Sequence, residues 1–172
     1  VDADVIEELY AASQAGVQIE LIVRGICCLR PGVEGLSDNI RVVSLLGRFL
    51  EHARVFRFET AVETTTYLGS ADMMPRNLDN RIEVITPVLD PTLCDRLRHA
   101  LDLELSDTAG AWELHGDGTW ERRAALPGAL RTAAHETFMR QALQAAAPVG
   151  QPHLTQREET ADRIHRGRSA DG

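Results

Sequence analysis

The chain has 172 residues and a formal net charge of −8, with 44% hydrophobic and 26% charged residues. That is one domain's length in the composition of a soluble globular protein, and the acidic balance argues against nucleic-acid binding through a basic surface. No apolar run could span a bilayer and no charged-then-apolar signal segment opens the chain, so a cytoplasmic setting is expected.

All 18 basic residues are Arg and none is Lys, so any phosphate site must be built from guanidinium forks that grip oxygens in pairs. The chain opens on Val1 followed directly by an acidic helical pattern, which reads as a fragment whose preceding domains have been cut away. Cys27, Cys28 and Cys94 lack the spacing of a zinc site and are too few for a disulfide framework, so buried reduced thiols are expected.

Asp4–Ala15 carries Val5, Ile6, Leu9 and Tyr10 on one helical face, with Gly16 where a helix end takes a positive φ. The β-branched run Val17–Val23 is a strand, and helix, glycine, strand is one step of a layered α/β fold. A Pro/Gly/Asx-rich loop covers Cys28–Asn39. Ile40–Ser44 reads as a short strand, Leu45–Glu51 as a helical turn, and His52–Phe58 as a second alternating stretch. Thr65–Leu68 is another strand, Met73–Leu78 one or two helical turns, and Arg81–Val88 a strand.

Asp90 is placed to cap a helix over Pro91–Leu105, with proline in its first turn. Trp112–Leu114 and Thr119–Glu121 flank Gly116-Asp117-Gly118, a hairpin signal. Leu130–Ala147 is Ala-rich and helical, whereas apolar residues almost vanish after Pro148. A domain over residues 1–147 and a disordered tail over 148–172 are therefore expected.

Chemistry concentrates in two stretches. In Leu50-Glu51-His52-Ala53-Arg54, an extended backbone puts His52 and Arg54 on one face. There an imidazole able to donate or exchange a proton stands beside a guanidinium able to neutralise oxyanions. Gly69-Ser70-Ala71-Asp72 follows a strand and leads into Arg76, Asn77 and Arg81, which crowd two guanidiniums and an amide into the next turn. Each piece alone is also what a structural histidine or an ion-paired turn looks like.

The order of the two pieces resembles one half of the phospholipase D fold, in which two similar halves each give a histidine to a shared phosphoryl-transfer site. Arg54 stands here for the usual Lys and Asp72 for the usual Asn, departures that count against a phosphodiesterase or nuclease half-site. A narrower resemblance runs through Ile22–Gly32 (I-V-R-G-I-C-C-L-R-P-G), Asn39–Val42, Gly47–Arg54 (G-R-F-L-E-H-A-R) and Ser70–Arg81 (S-A-D-M-M-P-R-N-L-D-N-R). These stretches are similar to the C-terminal domain of bacterial polyphosphate kinases, over the first residues to about Leu105 and more loosely through the Trp112–Trp120 hairpin.

That resemblance implies an α/β fold with a mixed sheet flanked by helices, a phospholipase-D-like half. It implies a part in moving the terminal phosphate of ATP reversibly onto polyphosphate through a phosphohistidine in a preceding domain, so the fragment alone should be inactive. It implies that Arg24 and His52 bind ATP phosphates, with His52 acting in catalysis. Arg54, Ser70, Asp72, Arg76, Asn77 and Arg81 complete the expected phosphate-binding set. Magnesium would arrive with ATP, with no protein ligands assigned and no protein-held metal site.

The expected partners are ATP, ADP, polyphosphate, the upstream domains and further copies of the chain in a homo-oligomer. The expected location is cytoplasmic, with membrane association of the full-length family as the alternative. A non-catalytic polyanion-binding or oligomerisation module is the reading outside enzymology. His99, His115, His135, His153 and His165 receive structural readings. His135-Glu136 begins like a zinc-protease helix, but Met139 stands where the second histidine would be.

Overall fold

The structure is a computed structural model that describes residues 1–146. Val1–Glu136 form one compact unit, and the described residues after it, 137–146, belong to a second. The expected tail, with His153 and His165, lies outside the described residues.

The first helix, α1 (Ala3–Gln14), is capped by Asp2, whose carboxylate accepts the Val5 N–H at 3.1 Å. Gly16 follows it at φ 89°, the left-handed position that glycine takes without strain. Strand β1 (Ile19–Ile22) then runs parallel to β2 (Ile40–Leu45), with Ile19 opposite Ile40 and Ile22 opposite Val43. On the other side of β2, β6 (Ala111–Leu114) pairs antiparallel, followed by β7 (Trp120–Arg122). Between these lie β3 (Val55–Glu59), β4 (Thr64–Gly69), the single-turn α2 (Pro75–Leu78), β5 (Ile85–Pro87) and α3 (Pro91–Leu105). The last helix, α4 (Ala134–Ala145), opens at the end of the first unit.

The expected α/β fold is present, with a mixed sheet of order β1-β2-β6-β7 and helices about it. The middle strands do not join that sheet. They form a separate antiparallel sheet of order β3-β4-β5. The core sits on the mixed sheet, where buried Leu29, Ile40, Val42 and Leu114 pack with Ile6, Leu9 and Tyr10 of α1 and with Trp120 of the hairpin. Val42 and Val43 are both fully buried, as a central strand covered on both faces requires. Asp90 caps α3 as its sequence predicts, accepting the Thr92 and Leu93 N–H groups. Cys27, Cys28 and Cys94 are free thiols, but none is fully buried: Cys27 and Cys94 are half-buried and Cys28 is exposed.

The helical turn expected over Leu45–Glu51 is absent. Leu45 still pairs with Ala111 in the sheet, and the Leu46 N–H donates to the Gly110 carbonyl at 2.9 Å. The Phe49 N–H donates to His135 Nδ1 at 3.3 Å. Backbone donors that a helix would use are thus taken by distant partners, and long-range pairing overrides a weak local preference. The fit is close on both sides. A Cβ on Gly110 would lie 2.2 Å from the Leu46 carbonyl oxygen, and one on Gly47 would lie 2.3 Å from His135 Nδ1.

What holds these pieces is the buried carboxylate of Asp107. Oδ1 accepts the N–H groups of Ala109, Gly110 and Ala111 at 2.7, 2.7 and 3.1 Å, and Oδ2 accepts that of Ala134 at 2.6 Å. One side chain thereby joins the start of β6 to the start of α4. Asp107→Asn would turn an NH2 group toward an N–H that needs an acceptor, opposing donor to donor. We expect a loss of about 2–4 kcal/mol in unfolding free energy, read from denaturant unfolding at neutral pH.

Candidate functional site

His52 and Arg54 precede β3, which begins only at Val55, so strand alternation is not what brings them together. Their side chains touch directly. Arg54 Nη2 stands 2.9 Å from His52 Nε2 and Nη1 stands 3.3 Å from Nδ1, so the guanidinium lies along the imidazole. The other edge of the same guanidinium is held by Asp72, with Nε 3.1 Å and Nη2 3.0 Å from Oδ1. Arg76 approaches the second carboxylate oxygen at 3.8 Å. The order is imidazole, guanidinium, carboxylate, guanidinium, with His52 and Arg76 at the exposed ends.

The other half of the second stretch gathers on a residue that sequence reasoning did not assign. Glu83 accepts from the Ser70 hydroxyl and from Asn77 Nδ2 at 2.8 Å. Those two bonds, Ser70 first, hold the Glu83 carboxyl below its usual range, with burial opposing and Arg81 and Arg54 adding attraction. Ser70 also accepts the Val84 N–H at 3.0 Å, stitching the end of β4 to the entry of β5. The expected strand over Arg81–Val88 narrows to Ile85–Pro87, and Arg81 is exposed ahead of it. Asn77 is buried on the short α2, where its Oδ1 has no partner among the described residues.

Arg24 lies two residues beyond the end of β1 and is half-buried. The backbone is still in the sheet one residue earlier, where the Val23 N–H donates to the Val43 carbonyl at 2.8 Å. Since β1 and β2 are adjacent and parallel, Arg24 and the segment that leads from Leu45 to His52 leave the same, carboxyl edge of the sheet. That is the edge at which open α/β sheets take ligands.

Behind this segment stands a second unassigned group. His135 is 7% exposed and contacts Glu51 through Nε2, while its ring meets Phe49 at 5.4 Å between centroids. Glu104 of α3 feels both. Its carboxyl is pushed up to about 7, by burial first and then by the Glu51 charge, with His135 acting in the opposite sense. Nothing local to His135 signals this, because its partners lie more than 80 residues earlier. Among the described residues, no group of three or more His, Cys, Asp and Glu side chains could hold a metal ion.

An imidazole and guanidiniums thus stand on the segment that leaves the carboxyl edge of the sheet. The profile of the polyphosphate kinase C-terminal domain 2 family matches residues 1–134. The chain belongs to that family. Polyphosphate kinase 1 of Chlorobaculum tepidum is 56% identical over 120 residues, covering 70% of this chain and 17% of that protein. The polyphosphate kinase of Thermosynechococcus vestitus is 50% identical over 143 residues, covering 83% and 20%. The crystal structure of polyphosphate kinase from Porphyromonas gingivalis superposes with a TM-score of 0.79 at 39% identity, over 84% of this chain and 22% of that one. The chain thus spans about a fifth of the length of the kinases it matches.

Within this polyphosphate kinase domain, Glu104 offers a direct test of the buried cluster. A carboxyl whose folded pKa lies above its unfolded value keeps its proton longer in the folded state, so stability falls as pH rises through the interval between the two. Here that interval runs from the usual 4.5 to about 7. Glu104→Gln should therefore stabilise the protein, with a gain that grows from pH 4.5 to 7 and levels off above. Thermal unfolding of both proteins across that range checks it, and a gain that shrinks with rising pH would contradict the burial.

Proposed function

We propose that this domain serves the transfer of the terminal phosphate of ATP to polyphosphate, with His52 and Arg24 meeting the phosphate chain at the carboxyl edge of the mixed sheet. The observation that carries the reading is the His52–Arg54–Asp72 chain of contacts on the segment leaving that edge. The transfer runs in two steps within the full-length kinase. The γ-phosphoryl group passes from ATP to a histidine nitrogen in the part preceding this domain, releasing ADP. It then passes to the terminal oxygen of polyphosphate, lengthening it by one unit and freeing the histidine. The reverse sequence makes ATP.

Each residue has a distinct part. Arg24, half-buried and with no ion pair among the described residues, can offer its full fork to two phosphate oxygens. Arg54 is pinned by Asp72 and sets the ring of His52, so its positive charge reaches phosphate beside the imidazole rather than alone. His52 donates to the oxygen on which charge develops as the phosphoryl group moves. Arg76 and Arg81 are exposed and give a polyanion further contacts. Ser70 and Asn77 hold Glu83, a counter-charge that an arriving phosphate would replace.

Magnesium would enter as part of the ATP complex. The side chains gathered here are mostly cationic and suit anions rather than a cation, so no step is assigned to a metal held by this chain. The partners of the reading are ATP, ADP, polyphosphate, the remainder of the kinase polypeptide and further copies of it. No helix among the described residues is long and apolar enough to cross a membrane, and the setting proposed is the cytoplasm.

Steady-state kinetics of a full-length kinase carrying this domain test the assignment. Arg24 would bind phosphate in ground and transition states alike, so Arg24→Ala should raise the KM for ATP and lower kcat, and Arg24→Lys should rescue only in part. His52→Ala should lower kcat about 100-fold, about 3 kcal/mol, with little change in KM. Wild-type kcat in His52→Ala would make that histidine structural and remove the reading.

A further inference from the structure

The segment that carries His52 has almost no secondary structure of its own. Leu46, Gly47, Arg48, Phe49 and Leu50 are all exposed, yet the chain must deliver the imidazole to a fixed place. Two polar contacts of this segment, and two packing contacts beside them, reach the same buried ring. The Phe49 N–H points at His135 Nδ1 at 3.3 Å, so that nitrogen accepts and carries no proton. The proton then sits on Nε2, where it faces the carboxylate of Glu51. Phe49 packs on the ring, and Gly47 passes so close that a Cβ there would lie 2.3 Å from Nδ1 and 2.7 Å from Cε1. His52 is the next residue after Glu51.

We infer that His135, acting as its Nε2–H tautomer between the Phe49 amide and Glu51, is a positioning residue that sets where His52 stands. This rests on the reading of His52 as the group that meets the transferring phosphate, and it adds to that reading a residue from the far end of the domain. The ring is itself fixed. It is the second residue of α4, directly after Ala134, whose N–H is held by Asp107, and Asp107 also holds Gly110, whose carbonyl accepts from Leu46. The start of α4 and the segment before His52 are therefore anchored to one carboxylate. The charged groups facing His135 are Glu51, in direct contact, and Glu104 of α3. An Nε2–H donating to Glu51 satisfies that oxygen, and the Phe49 N–H satisfies Nδ1.

The inference makes His135 act on turnover through His52 without touching substrate. In a full-length kinase carrying this domain, His135→Ala should lower kcat by about 10- to 100-fold, the usual consequence of displacing a catalytic group by about an ångström. The KM for ATP should stay nearly unchanged. His135→Gln should recover most of the loss, because its amide can donate to Glu51 and accept from Phe49 as the imidazole does. In a His52→Ala background, His135→Ala should add no further loss in kcat.

Gly47→Ala provides the variant that leaves every polar group in place. Its new methyl must push the segment from the ring, and it should show the same fall in kcat at constant KM even if His135→Ala fails to fold. Wild-type kcat in folded His135→Ala or in Gly47→Ala, beside a crippled His52→Ala, would overturn the inference and leave the role of His52 standing. Multiplying losses in the His52, His135 double variant would overturn it as well. Wild-type kcat in His52→Ala would instead sink the functional reading on which it rests.

Discussion

A single buried carboxylate organises the segment of this domain that leads to His52. Asp107 accepts four backbone N–H groups, three at the turn into β6 and one at the start of α4. A carboxylate out of water is costly unless its lone pairs are all used, and here the backbone supplies the partners directly. The consequences run outward. With β6 fixed, Gly110 can receive the Leu46 N–H at the end of β2. With α4 fixed, His135 can face the same segment from the other side. The approach to His52 is then settled by contacts from outside its own stretch of chain.

The charges along the candidate site follow a similar logic. Arg54 lies between His52 and Asp72, and Glu83 is gripped by Ser70 and Asn77 near Arg81 and Arg54. Guanidiniums cannot lose their charge, so a cluster whose permanent cations are all arginine needs acids nearby to keep them in place. Those acids also set which cations remain available. Arg54 is committed to a neighbour, while Arg24 is not among the described ion pairs.

Much of this was legible in the chain. The cap of α3 by Asp90 and the Gly118 turn between β6 and β7 are local devices, so residues a few positions apart carry the whole signal. Arg24 at a strand end and His52 beside Arg54 also emerge from short motifs. What escaped depends on distance. Leu45–Glu51 has helical spacing but is extended and bent, because its donors find Gly110 and His135 instead of its own carbonyls. His135 reads as an ordinary helix residue, and only folding reveals that it touches Phe49 and Glu51. Glu83 is thirteen residues from Ser70, and its pairing depends on how β4 meets the entry to β5. The division of the strands into two sheets is non-local for the same reason.

Whether phosphate is held at the carboxyl edge of β1 and β2 is the claim on which the account turns. The measurement that meets it most directly is the structure of a full-length kinase carrying this domain, bound to a non-hydrolysable ATP analogue. The account predicts that the Arg24 guanidinium and the His52 imidazole both bond to oxygens of one triphosphate, with Arg54 still paired to Asp72. A triphosphate bound elsewhere, with Arg24 and His52 both facing solvent, would contradict it.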